Sequence, residues 1–362
     1  MQTTLNPASQ SAPKTAQAIR VVDCDVHCHI GVNAIREYLP EPWRSLGVST
    51  PGHMGYQNPV GVTRRDTIEA DGICAAAKPA GIGRMLLDPY GIDIAILTGD
   101  MYSVCIHPDP DVACALSTAY NDYMIANWLN KDPRFRLAMV VPTQDPLYAA
   151  REIERVGAHP GIVEVIVASA SPAPFGQRQF HPIYAACEKM GLPLAMHPGF
   201  EGCGTSAGPT AAGHPTRYIE WHSGLPATFQ AHVISMVTEG VFQKFPKLKV
   251  VLVEGGVSWL VPLMWRLDKN WKALRLTVPW LDRLPSEVIQ EHFLITTQPI
   301  EEPQNHAHLK QLFSMFDAER MLLFSSDFPH WDGDTPDFAL RGFSESFKQR
   351  VWSGNAVELF GL

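Results

Sequence analysis

The stretch Asp25-Val26-His27-Cys28-His29 sets a carboxylate and two imidazoles at alternate positions after an apolar, β-branched run. In an extended chain Asp25, His27 and His29 share one face, and Cys24, Val26 and Cys28 share the other. Two imidazoles aimed the same way from a strand end are what a divalent metal requires. Alone the motif is weak, because 14 histidines in 362 residues supply by chance roughly half of one H-x-H pair. A second pair, His306-Ala-His308, opens a segment of helical period, where i and i+2 do not face each other. Three more polar residues close apolar runs: His197 after Leu192–Met196, Glu254 after Leu248–Val253, and Asp327 after Met321–Ser326. Each alone is an ordinary strand exit. His27, His29, His197, Glu254 and Asp327 at the same end of one set of strands form a candidate site. Three imidazoles and a carboxylate suit a borderline ion such as zinc, with a position left for water whose pKa falls to about 7.

The elements that must carry these residues are short apolar runs at 19–27, 93–99, 135–142, 162–168, 192–198, 248–256, 292–299 and 320–329. Between them lie segments of helical period at 117–132, 146–159, 181–191 and 305–317, and a last one at 351–362. Length alone allows two domains, but eight βα repeats without a composition break predict one closed (β/α)8 TIM barrel of the α/β class. The barrel is expected over 19–362, after a polar, small-residue leader at 1–18 that reads as disordered. Segments 31–91 and 199–247 exceed ordinary connections and are expected to be long loop insertions at the C-terminal face.

Composition bounds the partners. Lys plus Arg total 29 against 37 Asp plus Glu, a net charge of −8 with no basic stretch, so nucleic acid is not an expected partner. Seven scattered cysteines without a C-x-x-C pair fit a reduced, cytoplasmic protein. The most apolar window, Val250 to Trp265, is interrupted by Glu254 and Gly255-Gly256 and reads as a buried strand with the start of the next segment, not a membrane span.

With the Asp-x-His-x-His opening, the lone His after the fifth run, Glu254-Gly-Gly after the sixth and Ser326-Asp-Phe-Pro-His330 at the eighth, the chain resembles the amidohydrolase superfamily. The branch it is similar to contains aminocarboxymuconate-semialdehyde decarboxylase, resorcylate decarboxylases and lactone hydrolases acting on pyrone dicarboxylates. The resemblance implies metal ligation by His27, His29, His197 and Asp327, with Asp327 also able to take a proton from metal-bound water. It implies one metal, because the fourth run lacks the lysine that bridges two. Zinc is the expected ion and manganese the alternative. It also implies a small-molecule substrate and a homo-oligomer, dimer or tetramer.

Glu254 stands where the decarboxylase-like relatives usually have His. It is expected to be a general acid/base, with three competing roles: a further ligand, a partner for a substrate cation, or an acceptor orienting a ligand His. Arg266 falls where relatives offer an Arg to a substrate carboxylate, against a helix-surface ion pair with Asp268. His214, Arg217 and His222 lie in the long segment after the fifth run and are candidates to reach the mouth, against an ordinary loop role. His330 is expected to line the pocket. The leading expectation is hydrolysis of a lactone or amide bond in a small carboxylated or cyclic substrate. The second is nonoxidative decarboxylation of an aromatic or ring-cleavage acid at the same metal.

Overall fold

A computed structural model describes residues 19–52 and 55–362, so the leader expected at 1–18 lies outside the described residues. All eight expected strands form: β1 (Val22–Val26), β2 (Ile94–Leu97), β3 (Phe135–Val140), β4 (Ile162–Ala168), β5 (Leu194–His197), β6 (Val250–Leu252), β7 (Phe293–Thr296) and β8 (Leu322–Leu323). They pair in sequence order, each neighbour parallel. β8 is short, and the chain closes the barrel beyond it. Cys24 N–H donates to the Phe324 carbonyl at 2.9 Å, His27 N–H to Phe328 at 2.8 Å, and Asp327 N–H to Asp25 at 3.1 Å. Every residue of β1, β2, β4 and β6 is buried, as strands covered on both faces must be.

The crossover helices begin on local signals. Asp109 accepts from the N–H groups of Asp111 and Val112, with Pro110 in the first turn, so the helix expected at 117–132 starts earlier and spans Pro110–Asn127. Asp145 and Pro146 start the Pro146–Val156 helix in the same way. Its buried residues Ala149, Glu152, Ile153 and Val156 form one stripe at i, i+3, i+4 and i+7.

The two long segments are only partly loop. Residues 79–90 are helical, with a π-turn at Gly83–Leu87, and supply the crossover into β2. Within 199–247 the Tyr218–Gly224 and Pro226–Thr238 helices return the chain to β6. From the remainder, His29, Tyr56, Asn58, Val62, Thr63 and Gly199 reach the mouth of the barrel. Among the described residues no helix is long and apolar enough to cross a membrane.

His232, on the Pro226–Thr238 helix, ties that crossover to the end of β4. It is 3% exposed; its Nδ1 accepts from Phe175 N–H at 3.1 Å and its Nε2 donates to the Ser169 carbonyl at 2.7 Å. The Nδ1 bond needs the neutral ring, and burial, against the Ser169 bond that favours the charged one, pushes its pKa from 6.5 down to about 4. Below 6.5 the unfolded chain therefore binds the proton more readily than the folded one. The associated stability, on the order of 3 kcal/mol, is complete above that value and is lost as pH falls toward 4. Thermal unfolding between pH 4 and 7 is expected to show this slope in the wild type and a shallower one in His232→Gln; equal slopes would contradict it.

Candidate active site

β1 delivers Asp25 and His27 to the barrel mouth with no exposed surface, and β5 ends on His197, 1% exposed. Glu254 and Asp327 leave β6 and β8 in the left-handed region, at φ 57° and 55°, the two such non-glycine positions among the described residues. Backbone there costs on the order of 1–3 kcal/mol, and surrounding bonds hold it. Glu254 N–H donates to Thr296 Oγ1 at 3.0 Å, and Asp327 N–H to the Asp25 carbonyl. β6 has already ended at Leu252 and β8 at Leu323, and the left-handed turn beyond each sets the carboxylate at the barrel mouth.

Asp25, His27, His197 and Asp327 each present one nitrogen or oxygen atom, and these atoms lie within 4.8 Å of one another. His27 Nε2 is 3.5 Å from Asp25 Oδ1 and 3.1 Å from Asp327 Oδ1, and His197 Nε2 is 3.4 Å from Asp25 Oδ2. Yet His27 Nε2, His197 Nε2, Asp25 Oδ2 and both Asp327 oxygens, all buried, make no aligned hydrogen bond. The opposite ring nitrogens are committed: His27 Nδ1 donates to Asp100 Oδ1 at 3.0 Å and His197 Nδ1 to the Pro198 carbonyl at 2.8 Å. Those bonds fix the tautomer that turns both Nε2 lone pairs inward. Thr98 Oγ1 holds Asp25 Oδ1 at 2.7 Å. Two lone pairs and two carboxylates converge, with Thr98 on Asp25 and the His330 ring beside Asp327 Oδ1 as neighbouring donors, and a divalent cation satisfies all four. These residues fit a metal site.

Asp100 follows Gly99, whose φ of 60° carries the chain off β2. A Cβ at Gly99 would sit 2.6 Å from the Tyr120 hydroxyl and 3.2 Å from Cys28 Sγ, so glycine is required where Asp100 is set against His27.

His29 is not in the donor group. β1 ends at Val26 and its alternation does not extend past His27, so His29 lines the wall of the cavity while Asp25 joins the quartet. His330 Nδ1 lies 2.7 Å from Asp327 Oδ1, and its ring centroid is 4.1 Å from that of His27. Glu254 Oε2 is 3.4 Å from His197 Nε2, and His222 Nε2 sits 3.9 Å from Glu254 Oε1 and 3.7 Å from Asp332 Oδ2. His214 is exposed and does not line the cavity. Arg217 is exposed on a neighbouring groove. Arg266 is exposed on the Leu260–Leu274 helix, away from the mouth, and Asp268 is taken by Ser286 at 2.9 and 2.7 Å and not by Arg266. Asp100 and Asp332 were not expected. Asp100 was open to the same criterion as the others, a polar residue closing an apolar run.

The cavity is about 380 Å³. Asp100, Glu254 and Asp332 face it beside Tyr56, Tyr218, Trp221 and Trp331, and no Lys or Arg is among its described lining residues. Burial, then Asp327, Asp332 and Asp25, push the Glu254 carboxyl well above its usual range. Burial and Asp327 raise Asp332 to about 6. Burial acts on Asp327 in the same direction, but the neighbouring His330 pulls it the other way and Asp327 is held low. Neighbouring carboxylates thus differ in their hold on a proton, which is the arrangement acid/base chemistry uses.

The chain matches the family model described as Amidohydrolase over residues 24–362. Gamma-resorcylate decarboxylase of Polaromonas sp. is 27% identical to it over 296 residues, 76% of this chain and 86% of that enzyme. The 2-amino-3-carboxymuconate-6-semialdehyde decarboxylase of Dictyostelium discoideum is 24% identical over 358 residues, 95% of this chain and 92% of that one. Among solved structures, 5-carboxyvanillate decarboxylase from Sphingomonas paucimobilis shares the fold at a TM-score of 0.68 and 22% identity, covering 95% of this chain and 100% of that one. A dihydroxybenzoic acid decarboxylase from Polaromonas sp., solved with manganese and 2-nitroresorcinol, does so at 0.66 and 21%, covering 95% and 98%. These relatives overturn the leading expectation of lactone or amide hydrolysis in favour of the second. Both reactions use one donor set at one mouth, so the ligand residues could not separate them. A barrel closed in sequence order, with its donors gathered at the strand ends and a family model matched over 24–362, places the chain in the amidohydrolase family.

Proposed function

We propose that this chain is a metal-dependent, nonoxidative decarboxylase of a hydroxylated aromatic monocarboxylic acid. The observation that carries the reading is the unsatisfied quartet Asp25, His27, His197 and Asp327, opening on an aromatic-walled cavity in a chain that spans most of its decarboxylase relatives. These four residues would hold one divalent ion, zinc or the manganese found in the solved relative. A bound ion would supply a positive anchor for the substrate carboxylate and the adjacent phenol oxygen.

The chain's own groups supply the rest. Tyr102, its ring 4.7 Å from that of His197, and the tryptophans of the wall exclude water and hold a flat ring. In the reaction the bond from ring carbon to carboxylate carbon breaks, its electron pair stays on the ring carbon, and carbon dioxide leaves. Glu254 faces the cavity without a hydrogen bond to its carboxyl that would fix the proton elsewhere, and it delivers that proton to the ring carbon. His222, between Glu254 and Asp332, returns a proton from the solvent side. His330 orients Asp327.

The inner wall offers carboxylates and no cation, so a second carboxylate on the ring lacks a partner. Metal-loaded protein is expected to release one carbon dioxide per phenol from hydroxybenzoic acids. Ring dicarboxylates are expected to have kcat/KM lower by at least ~10-fold. Dicarboxylates turned over as well as monoacids would contradict this substrate class, and a panel yielding no carbon dioxide would remove the decarboxylase reading.

A further inference from the structure

A second groove of about 590 Å³ lies against the inner cavity, and the two share Tyr56, Asn58, Tyr218, His222 and Trp331 as walls. One bank is residues 55–60, from the segment after β1, and the other is 216–219, leading into the Tyr218–Gly224 helix. Contacts across the junction set its shape: Tyr56 Oη donates to the Pro215 carbonyl at 3.0 Å, Trp331 Nε1 donates to Tyr218 Oη at 3.3 Å, and Tyr218 stacks on His222 at 5.4 Å. Beyond the junction the groove presents apolar side chains to solvent, with Val60 51% exposed, Ile219 75% and Trp331 40%, beside one charged residue of its described lining, the exposed Arg217. Apolar surface gathered at the mouth of a site marks a place where something binds. The inner cavity alone is already of ligand size, so a one-ring acid leaves the groove empty.

We propose that the substrate is a two-part aromatic acid, with a carboxylated hydroxy-ring in the inner cavity and a second, apolar ring or chain lying in the groove between 55–60 and 216–219. This rests on the decarboxylase reading for the first part. The groove adjoins the inner cavity across five shared wall residues, and Val60, Ile219 and Trp331 on its wall give the second part its apolar chemistry.

The test uses binding as well as turnover. Phenol, 2-naphthol and 4-phenylphenol are titrated into metal-loaded protein, followed by calorimetry, and hydroxynaphthoic acids are compared with salicylic acid in kcat/KM. Two-ring ligands are expected to bind at least ~10-fold tighter than phenol. Ile219→Asp and Val60→Asp, each checked for folding by circular dichroism, are expected to bring that ratio to within ~3-fold. A wild-type ratio near one, or a ratio unchanged in both variants, overturns the proposal. So does a light-scattering mass that drops from dimer to monomer in Ile219→Asp, because the groove would then be covered by a second copy. Tight, variant-sensitive binding without carbon dioxide from any acid would leave the groove assigned and fault only the decarboxylase reading.

Discussion

His27→Ala is expected to lose its divalent ion and, with it, at least ~10³-fold of turnover. Its Nε2 is a donor of the quartet, and its Nδ1 is held by Asp100, so truncation removes a ligand and leaves Asp100 without the ring it aligned. Asp25→Asn is expected to fail in the same way, since an amide offers a weaker donor where a carboxylate is needed. His29→Ala is expected to keep its metal, because His29 lies on the wall and outside the donor group. Metal content per chain after gel filtration distinguishes these outcomes without reference to activity. Added metal should raise the unfolding temperature of His29→Ala and not that of His27→Ala. Retention of metal by Asp25→Asn together with its loss in His29→Ala would restore the ligand set implied by the resemblance.

Glu254→Gln is expected to keep the metal and the fold and to lower turnover by at least ~10²-fold. The amide preserves the side chain's volume and leaves the residue in the same left-handed backbone, so the strain at φ 57° is unchanged. What it removes is the exchangeable acid proton. Glu254→Ala would be a poorer test, because it also opens space beside His197. Near-normal turnover in Glu254→Gln would reduce Glu254 to an acceptor beside His197 and leave the proton to be delivered by Asp327 with His330.

The barrel was legible because parallel strands buried on both faces are written as continuous apolar runs, and all eight runs hold strands. Their ends were not legible. β6 and β8 stop at Leu252 and Leu323, short of the left-handed turns at Glu254 and Asp327, and nothing in residue type announces a carboxylate in that conformation. The start of the Leu260–Leu274 helix was hidden because its apolar first turns merge with the run of β6. The 79–90 helix was hidden because Pro79, Gly81 and Gly83 look like breakers.

At the site, period-two alternation correctly set Asp25 and His27 side by side, and it failed at His29 because the strand had already ended. Loop residues carry no period at all. Nothing in the sequence could show that His222 turns inward while His214 and Arg217 remain outside, or that Arg266 faces solvent. The reaction was the least legible part, since hydrolysis and decarboxylation ask for the same metal ligands and differ in which bond of the substrate breaks.

That difference is read most directly by turning over a hydroxylated aromatic acid with metal-loaded protein in deuterated, oxygen-18-labelled water and analysing the aromatic product by NMR and mass spectrometry. The expected product carries deuterium at the carbon that bore the carboxylate, no solvent oxygen, and one released carbon dioxide per ring. An organic product that keeps its carboxylate and has gained solvent oxygen would contradict decarboxylation at this site.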